Sequence, residues 1–188
     1  MSEKNPFALF DQALKAESKE KFEEAEKLYL ESLAVKEDYL EAMYNLGCLY
    51  FLQEKYHLAK DYLSKASALR PDFAQCFTAL GHVYQKLKEN DEAIRSYQKA
   101  LKLDPENYGA LLSTAEIFRE KGKFETALLC LEPIEEKYPE SAQLHFQLSM
   151  NYIALGQIKP GLNSLEKAVR LEPKNPQIRN FYHSLLPD

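Results

Sequence analysis

The chain has 188 residues, of which 45% are hydrophobic and 28% are charged, and its net charge is −5. This composition predicts a soluble, folded protein and excludes a chain that is disordered throughout. Because nucleic-acid binding needs clustered lysine and arginine, an acidic chain whose basic residues alternate with glutamates indicates no nucleic-acid partner.

The sequence carries no signal for a membrane or for export. No stretch approaches the roughly 18 apolar residues that a transmembrane helix needs, and the N-terminal residues lack the apolar run of a signal peptide. The three cysteines, Cys48, Cys76 and Cys130, are too widely spaced to suggest a disulfide framework. We therefore predict a cytoplasmic protein without membrane insertion.

Four prolines and five small residues recur at a fixed interval of 34 residues. The prolines are Pro71, Pro105, Pro139 and Pro173, and the small residues are Ala25, Ala59, Ala93, Ala127 and Gly161. Such a period is typical of stacked structural repeats. When the small residue is numbered position 20, five repeats follow one another without a gap, at 6–39, 40–73, 74–107, 108–141 and 142–175.

Each repeat carries two apolar stripes of helical spacing with a short polar turn between them. Positions 4, 7, 8 and 11 share one helical face, and positions 17, 20, 24 and 27 share another. We therefore predict two antiparallel helices per repeat. Positions 8 and 20 are always small, which predicts a close crossing of the two helices. The proline at position 32 is expected to end the second helix.

A short stripe after the fifth repeat predicts a final helix. Ile178, Phe181, Tyr182 and Leu185 recur at helical spacing. A helix over 176–186 would cover the open face of the fifth repeat. The whole chain, 1–188, is then expected to form a single repeat domain.

These residues resemble the tetratricopeptide repeat, whose pattern includes Leu-Gly, Tyr, Ala, an aromatic residue and Pro. The third repeat supplies Leu80-Gly81, Tyr84, Ala93, Tyr97 and Pro105. The resemblance covers 170 of the 188 residues. It implies an all-α fold, a right-handed α-solenoid of five helix-turn-helix repeats plus a short C-terminal capping helix, with a concave and a convex face.

The resemblance also implies where a partner would bind. In this family the first helix of each repeat lines the concave groove. Positions 5, 9 and 12 place the following residues there: Phe10, Leu14, Tyr44, Cys48, Phe51, Thr78, His82, Gln85, Leu112, Glu116, Arg119, Phe146, Met150 and Ile153. Positions 12 and 13 add Glu17, Ser18 and Leu52. The alternative interpretation is that some of these side chains pack against the next repeat.

One activity of the family is not expected. Some relatives hold the acidic C-terminal tail of heat-shock chaperones with a clamp of lysine, asparagine and arginine. At the corresponding positions this chain has Phe10, Leu14, Asn45, Gln75 and Ala79. The cations that would pair with carboxylates are missing, so we predict no clamp.

No catalytic or metal-binding motif stands out. The sequence lacks a glycine-rich phosphate loop and the G-x-S-x-G, H-E-x-x-H and C-x-x-C patterns. Cys48 and His82 share position 9 in neighbouring repeats, but a helix spacing of about 8–10 Å separates such positions too widely for one zinc ion. We predict no metal, no cofactor and no enzymatic activity.

The sequence therefore favours a non-enzymatic adaptor or scaffold that binds a partner peptide segment in the concave groove. Two alternatives stay open. One is a self-assembling structural scaffold that uses Phe7 and Phe10 at one end and Phe181 and Leu186 at the other. The other is a chaperone that binds a client in the same groove. We expect a monomer or a weak homo-oligomer.

Overall fold

The computed structural model describes residues 5–185, and within them it forms eleven α-helices and no β-strand. The predicted all-α fold of tandem helix pairs is confirmed. Leu186 lies outside the described residues. The helices are α1 (Pro6–Glu17), α2 (Phe22–Val35), α3 (Leu40–Leu52), α4 (Tyr56–Leu69), α5 (Ala74–Lys86), α6 (Asn90–Leu103), α7 (Tyr108–Glu120), α8 (Phe124–Glu135), α9 (Ala142–Ala154), α10 (Ile158–Leu171) and α11 (Pro176–Ser184).

The chain divides into two compact units, one that ends at Pro105 and one that begins at Glu106. The first unit contains α1 to α6, and the second contains α7 to α11. Within each unit every helix packs against the next one along the chain. In addition α3 contacts α5, and α7 contacts α9, so the first helices of neighbouring repeats lie side by side. The grouping of the whole chain into one domain stays a prediction.

The two helices of a repeat meet where the small residue at position 8 faces the large side chain at position 24. A Cβ atom added to Gly47 would lie 2.7 Å from Leu63 Cγ, and one added to Gly81 would lie 2.3 Å from Tyr97 Cε1. Leu63 and Tyr97 are fully buried. Burying a side chain of this size contributes about 1.5–3 kcal/mol, and the glycine allows the close approach.

Position 20 makes a second close contact in the fifth repeat. A Cβ atom on Gly161 of α10 would lie 2.5 Å from Ile153 Cγ1 and 3.3 Å from the backbone nitrogen of the same residue on α9. Together with the contacts at Gly47 and Gly81, this supports the close helix crossing that the sequence predicts at small positions.

A residue in the left-handed conformation reverses the chain in every repeat. It stands at position 15, with φ between 58° and 74°, in each of Glu20, Glu54, Lys88, Gly122 and Gly156. The next residue closes a six-residue ring, for example from Lys55 N–H to the Tyr50 carbonyl at 2.8 Å. This is the Schellman end of a helix, for which glycine is the preferred residue. The first three repeats therefore carry backbone strain that the last two avoid.

Four of the second helices end two residues before position 32, although proline is not always the cause, whereas α8 ends earlier, at Glu135, four residues before Pro139. α4 ends at Leu69, two residues before Pro71, and the residue between them is extended. In the first repeat Glu37 stands in place of proline, yet α2 ends at Val35 with an equally extended Lys36. The second helix of the first repeat therefore ends at the same position without a proline.

The contact between Gly81 and Tyr97 can be tested by enlarging the glycine. We expect Gly81→Val to lower the free energy of unfolding by about 2 kcal/mol, because overpacked side chains force shifts of this cost. Chemical denaturation would measure the change. Gln75→Val, at an exposed position of the same helix, is the matched control and should stay within about 0.5 kcal/mol of the wild type. Equal effects of both substitutions would contradict the packing argument.

The strained turn gives a prediction of the opposite sign. We expect Lys88→Gly to raise the free energy of unfolding by roughly 0.5–1 kcal/mol, since glycine removes the left-handed penalty but loses more entropy on folding. Lys88 is exposed with φ 64°. Gly122→Ala at the same position of the fourth repeat should destabilise by a similar amount. A destabilised Lys88→Gly variant would show that the turn is not strained.

Candidate functional site

The first helices carry the side chains that the sequence assigns to a groove, and the structure separates exposed ones from buried ones. In the first compact unit, Leu14 is 38% exposed, whereas Thr78 is only 9% exposed and donates its hydroxyl to the Ala74 carbonyl. The other predicted residues of this unit are half-buried: Phe10, Tyr44, Cys48, Phe51, His82 and Gln85.

The two aromatic residues at position 5 of the first unit pack against neighbouring rings. Phe10 lies 5.1 Å from the Tyr39 ring, and Tyr44 lies 4.8 Å from the Phe73 ring. Tyr39 and Phe73 are the residues directly before α3 and α5. Each ring pair contributes roughly 0.5–1.5 kcal/mol beyond the area it buries. Phe10 and Tyr44 therefore hold neighbouring helices together.

The position before a first helix has a different role in the other repeats. Asn5, Asn107, Ser141 and Asn175 stand there, and each accepts a hydrogen bond from a backbone N–H of the following helix. Such a cap stabilises a helix by about 1 kcal/mol. The second and third repeats begin with a packed ring instead of this cap. Sequence reasoning missed this exchange, although position 34 is aromatic in the first two repeats.

A chain of rings occupies the next stretch of the first unit. Phe51 lies 6.4 Å from the His82 ring, and His82 lies 5.5 Å from the buried Tyr97 ring. The Tyr97 hydroxyl donates to Gln85 Oε1 at 3.1 Å. His82 and Gln85 are therefore engaged by the second helix of their own repeat, which fixes their orientation.

The thiols of this unit are poorly suited to chemistry. Burial raises the pKa of Cys48 from its ordinary value of 9.0 to about 11, with a smaller contribution from the Glu17 carboxylate. Burial likewise raises the pKa of Cys76 to about 12, and its thiol donates to the Leu63 carbonyl at 3.2 Å. Both thiols are protonated at neutral pH and are therefore weak nucleophiles.

The second compact unit buries part of its predicted face. Leu112 is 5% exposed and belongs to the core cluster with Leu128 and Leu131, so its side chain does not line a surface. The Phe146 ring packs edge-on against Phe181 of α11 at 5.6 Å. The other predicted residues of this unit are half-buried: Glu116, Arg119, Met150 and Ile153.

An open depression in the first unit is lined by both apolar and polar side chains. Its volume is about 390 Å³. We call it the leucine depression, because Leu14 and Leu52 are its most exposed large apolar residues, at 38% and 63%. It is lined by Leu14, Glu17, Ser18, Glu20, Phe22, Asn45 and Leu52. The sequence places Leu14, Glu17, Ser18 and Leu52 on the groove face, but not the turn residue Glu20, Phe22 or Asn45.

Two hydrogen bonds fix the polar groups of the leucine depression. The Tyr29 hydroxyl donates to Glu17 Oε2 at 2.6 Å, and Tyr29 itself is fully buried. The Asn45 amide nitrogen donates to the Glu41 carbonyl at 2.7 Å. The lining thus holds two carboxylates and an amide oxygen together with apolar side chains, and it contains no basic residue.

Metal-binding clusters and membrane-spanning helices are both absent from the described residues. Within residues 5–185 no group of three or more His, Cys, Asp or Glu side chains is close enough to hold a metal ion. Over the same residues, no helix combines the length and the apolar character that crossing a bilayer requires.

The chain matches known repeat sequences and folds. Models described as tetratricopeptide repeat match residues 40–73, 74–107, 96–128 and 142–175, which together exceed half of the chain. Subunit 3 of the anaphase-promoting complex from Schizosaccharomyces pombe is 25% identical over 69% of this chain and 19% of its own length. Human protein O-mannosyl-transferase TMTC3 is 30% identical over 69% of this chain and 15% of its own length. The chain thus spans less than a fifth of either relative.

Solved structures agree on the fold. PilF of Pseudomonas aeruginosa has a TM-score of 0.86 at 18% identity, over 96% of this chain and 82% of its own. YrrB, described as a TPR protein with an unusual peptide-binding site, scores 0.74 at 23% identity over 94% and 91%. The first TPR of Spaghetti (RPAP3), bound to the HSP90 peptide SRMEEVD, scores 0.61 at 20% identity over 65% and 97%.

The raised pKa of the Cys48 thiol predicts a loss of stability in alkali. Because the folded-state pKa of Cys48 is about 11 and the ordinary value is 9.0, its contribution is complete below pH 9 and disappears as the pH rises through 11. Replacing Cys48 by alanine should reduce the slope of unfolding free energy in this range by up to about 1.4 kcal/mol per pH unit. Urea unfolding at stepped pH would measure both proteins. Parallel curves above pH 9 would contradict the assignment.

Proposed function

Because the chain belongs to the tetratricopeptide repeat family, we propose that it is a protein-interaction module that binds a partner peptide segment at its first compact unit. Repeats of this family mediate contacts between proteins, and as a rule they are not catalytic. The finer proposal is that the segment lies along the groove face of α1 and α3 and anchors in the leucine depression. In this proposal the protein is a cytoplasmic, non-enzymatic adaptor.

The exposure of Leu14 and Leu52 around one concavity is the observation that carries the proposal. Leu52 is 63% exposed at the end of α3. Exposing this apolar side chain to water costs free energy that a polar residue would not cost. Apolar side chains that cluster on an open surface usually mark contact sites. A few such anchors commonly supply most of the affinity of an interface.

The contacts of the rings favour these leucines as anchors. Tyr44 and Phe146 are aromatic residues at predicted groove positions, but each packs against a ring of its own compact unit. Their replacement would disturb the fold as well as any partner. Among the residues proposed for a self-assembling scaffold, Phe10 and Phe181 are likewise packed against Tyr39 and Phe146. Phe7 lies 5.2 Å from the Tyr39 ring and is 51% exposed, and Leu186 lies outside the described residues. We therefore favour an adaptor over a self-assembling scaffold.

The chemistry of the depression supports a ligand unlike the SRMEEVD peptide that the Spaghetti repeat binds. That peptide is rich in carboxylates, whereas the lining here carries Glu17 and Glu20 and no cation. Like charges at such short range oppose binding. We accordingly expect labelled SRMEEVD to serve as a non-binding reference.

The proposal predicts which surface a selected peptide uses. Peptides would be selected from a random displayed library on the full chain, and their affinities measured by fluorescence anisotropy. The double variant Leu14→Ser, Leu52→Ser should weaken the selected peptides at least about tenfold, since losing two apolar anchors removes more than about 1.4 kcal/mol.

The matched control is Leu30→Ser, Leu58→Ser, which changes two exposed leucines on α2 and α4, at 37% and 42%. It should leave the affinities unchanged, and circular dichroism would establish that both double variants are folded. Equal weakening by the two variants, or unchanged binding in Leu14→Ser, Leu52→Ser, would move the binding site elsewhere.

A further inference from the structure

We infer that the segment bound in the leucine depression is cationic as well as apolar, with an arginine or lysine flanked by leucine-like side chains. This inference rests on the proposed function, because it specifies the chemistry of the ligand at the same surface. It follows from the signs of the charges at the depression and from the way the structure holds them.

The Glu17 carboxylate of the lining is held by a hydrogen bond. Its Oε2 atom accepts a hydrogen bond from the Tyr29 hydroxyl at 2.6 Å, and Tyr29 is fully buried between the two helices of the first repeat. The carboxylate therefore cannot swing away without breaking this bond. Within residues 5–185 no lysine, arginine or histidine forms an ion pair with Glu17 or with Glu20. Both negative charges can accept a cation from outside.

The Asn45 side chain adds a third acceptor. Its amide nitrogen donates to the Glu41 carbonyl, which orients the side chain. The amide oxygen can accept a hydrogen bond from an incoming donor. An arginine carries five N–H donors, and its aliphatic stem packs well on leucine side chains. Leu14, Leu52 and Phe22 supply that apolar wall.

A second depression in the first repeat has a different set of charges from the leucine depression. That second concavity, of about 360 Å³, includes Lys15, Lys19, Lys21 and Lys27 together with Glu24 and Glu31. Its charges are mixed, and Lys21 already pairs with Glu24 at 3.1 Å. The charged residues that line the leucine depression are both glutamates, so it favours a ligand with positive charge.

The inference can be tested with peptides that share one frame of leucines. The residue between the leucines is arginine in the first peptide, glutamine in the second and glutamate in the third. We expect the arginine peptide to bind about tenfold more tightly than the glutamine peptide at low ionic strength, and the glutamate peptide to bind weakest. This preference should shrink as salt is added, since the rim is solvated.

A single variant isolates the charge. Glu20→Gln should weaken the arginine peptide about two- to fivefold, the range of one exposed ion pair, and should leave the glutamine peptide unchanged. Glu23→Gln is the matched control, because Glu23 is exposed on α2 and does not line the depression. It should affect neither peptide.

The outcomes separate this inference from the proposed function. If the arginine and glutamine peptides bind equally and Leu14→Ser, Leu52→Ser weakens both, the site stands and the charge preference is overturned. The charge preference is likewise overturned if Glu20→Gln and Glu23→Gln act alike. If no peptide binds, or if all bind regardless of Leu14 and Leu52, the proposed function fails and the inference fails with it.

Discussion

The close contact between a small residue on the first helix and a large side chain on the second sets the geometry of each repeat. Gly81 leaves room for the Tyr97 ring, and Gly47 leaves room for Leu63. The inner side of the first helix is thereby committed to its partner helix, and residues on its other side, such as Leu14, remain at the surface. The surface that we propose to bind a partner is therefore the side of the first helix that does not pack against the second helix.

The period of the sequence was sufficient to predict the helices and the side on which each first helix packs. It was not sufficient to predict the turn, because Glu20, Glu54 and Lys88 adopt a backbone conformation that only glycine signals. Nor did it predict which groove residues a neighbouring ring would cover. Thr78 and Leu112 occupy groove positions, yet both are buried. Leu112 packs with Leu128 and Leu131 of α8, and the period of the sequence does not indicate such a contact between helices.

The difference between packed rings and exposed leucines changes the interpretation of the groove. Phe10, Tyr44 and Phe146 occupy groove positions, but each has a ring partner within its own compact unit. The side chains that a partner could still cover are smaller and lie nearer to the turns. Affinity at such a site would depend on shape and charge together, because the apolar area of two leucines is modest.

The left-handed turn also explains why positions 8 and 24 keep a constant separation within every helix pair. One residue more or fewer between the helices would rotate the second helix by about 100° about its axis, since an α-helix has 3.6 residues per turn. Tyr97 would then point away from Gly81, and its ring would be exposed to water. Variation in the length of this chain is therefore expected at its ends and between second and first helices, and not within a helix pair.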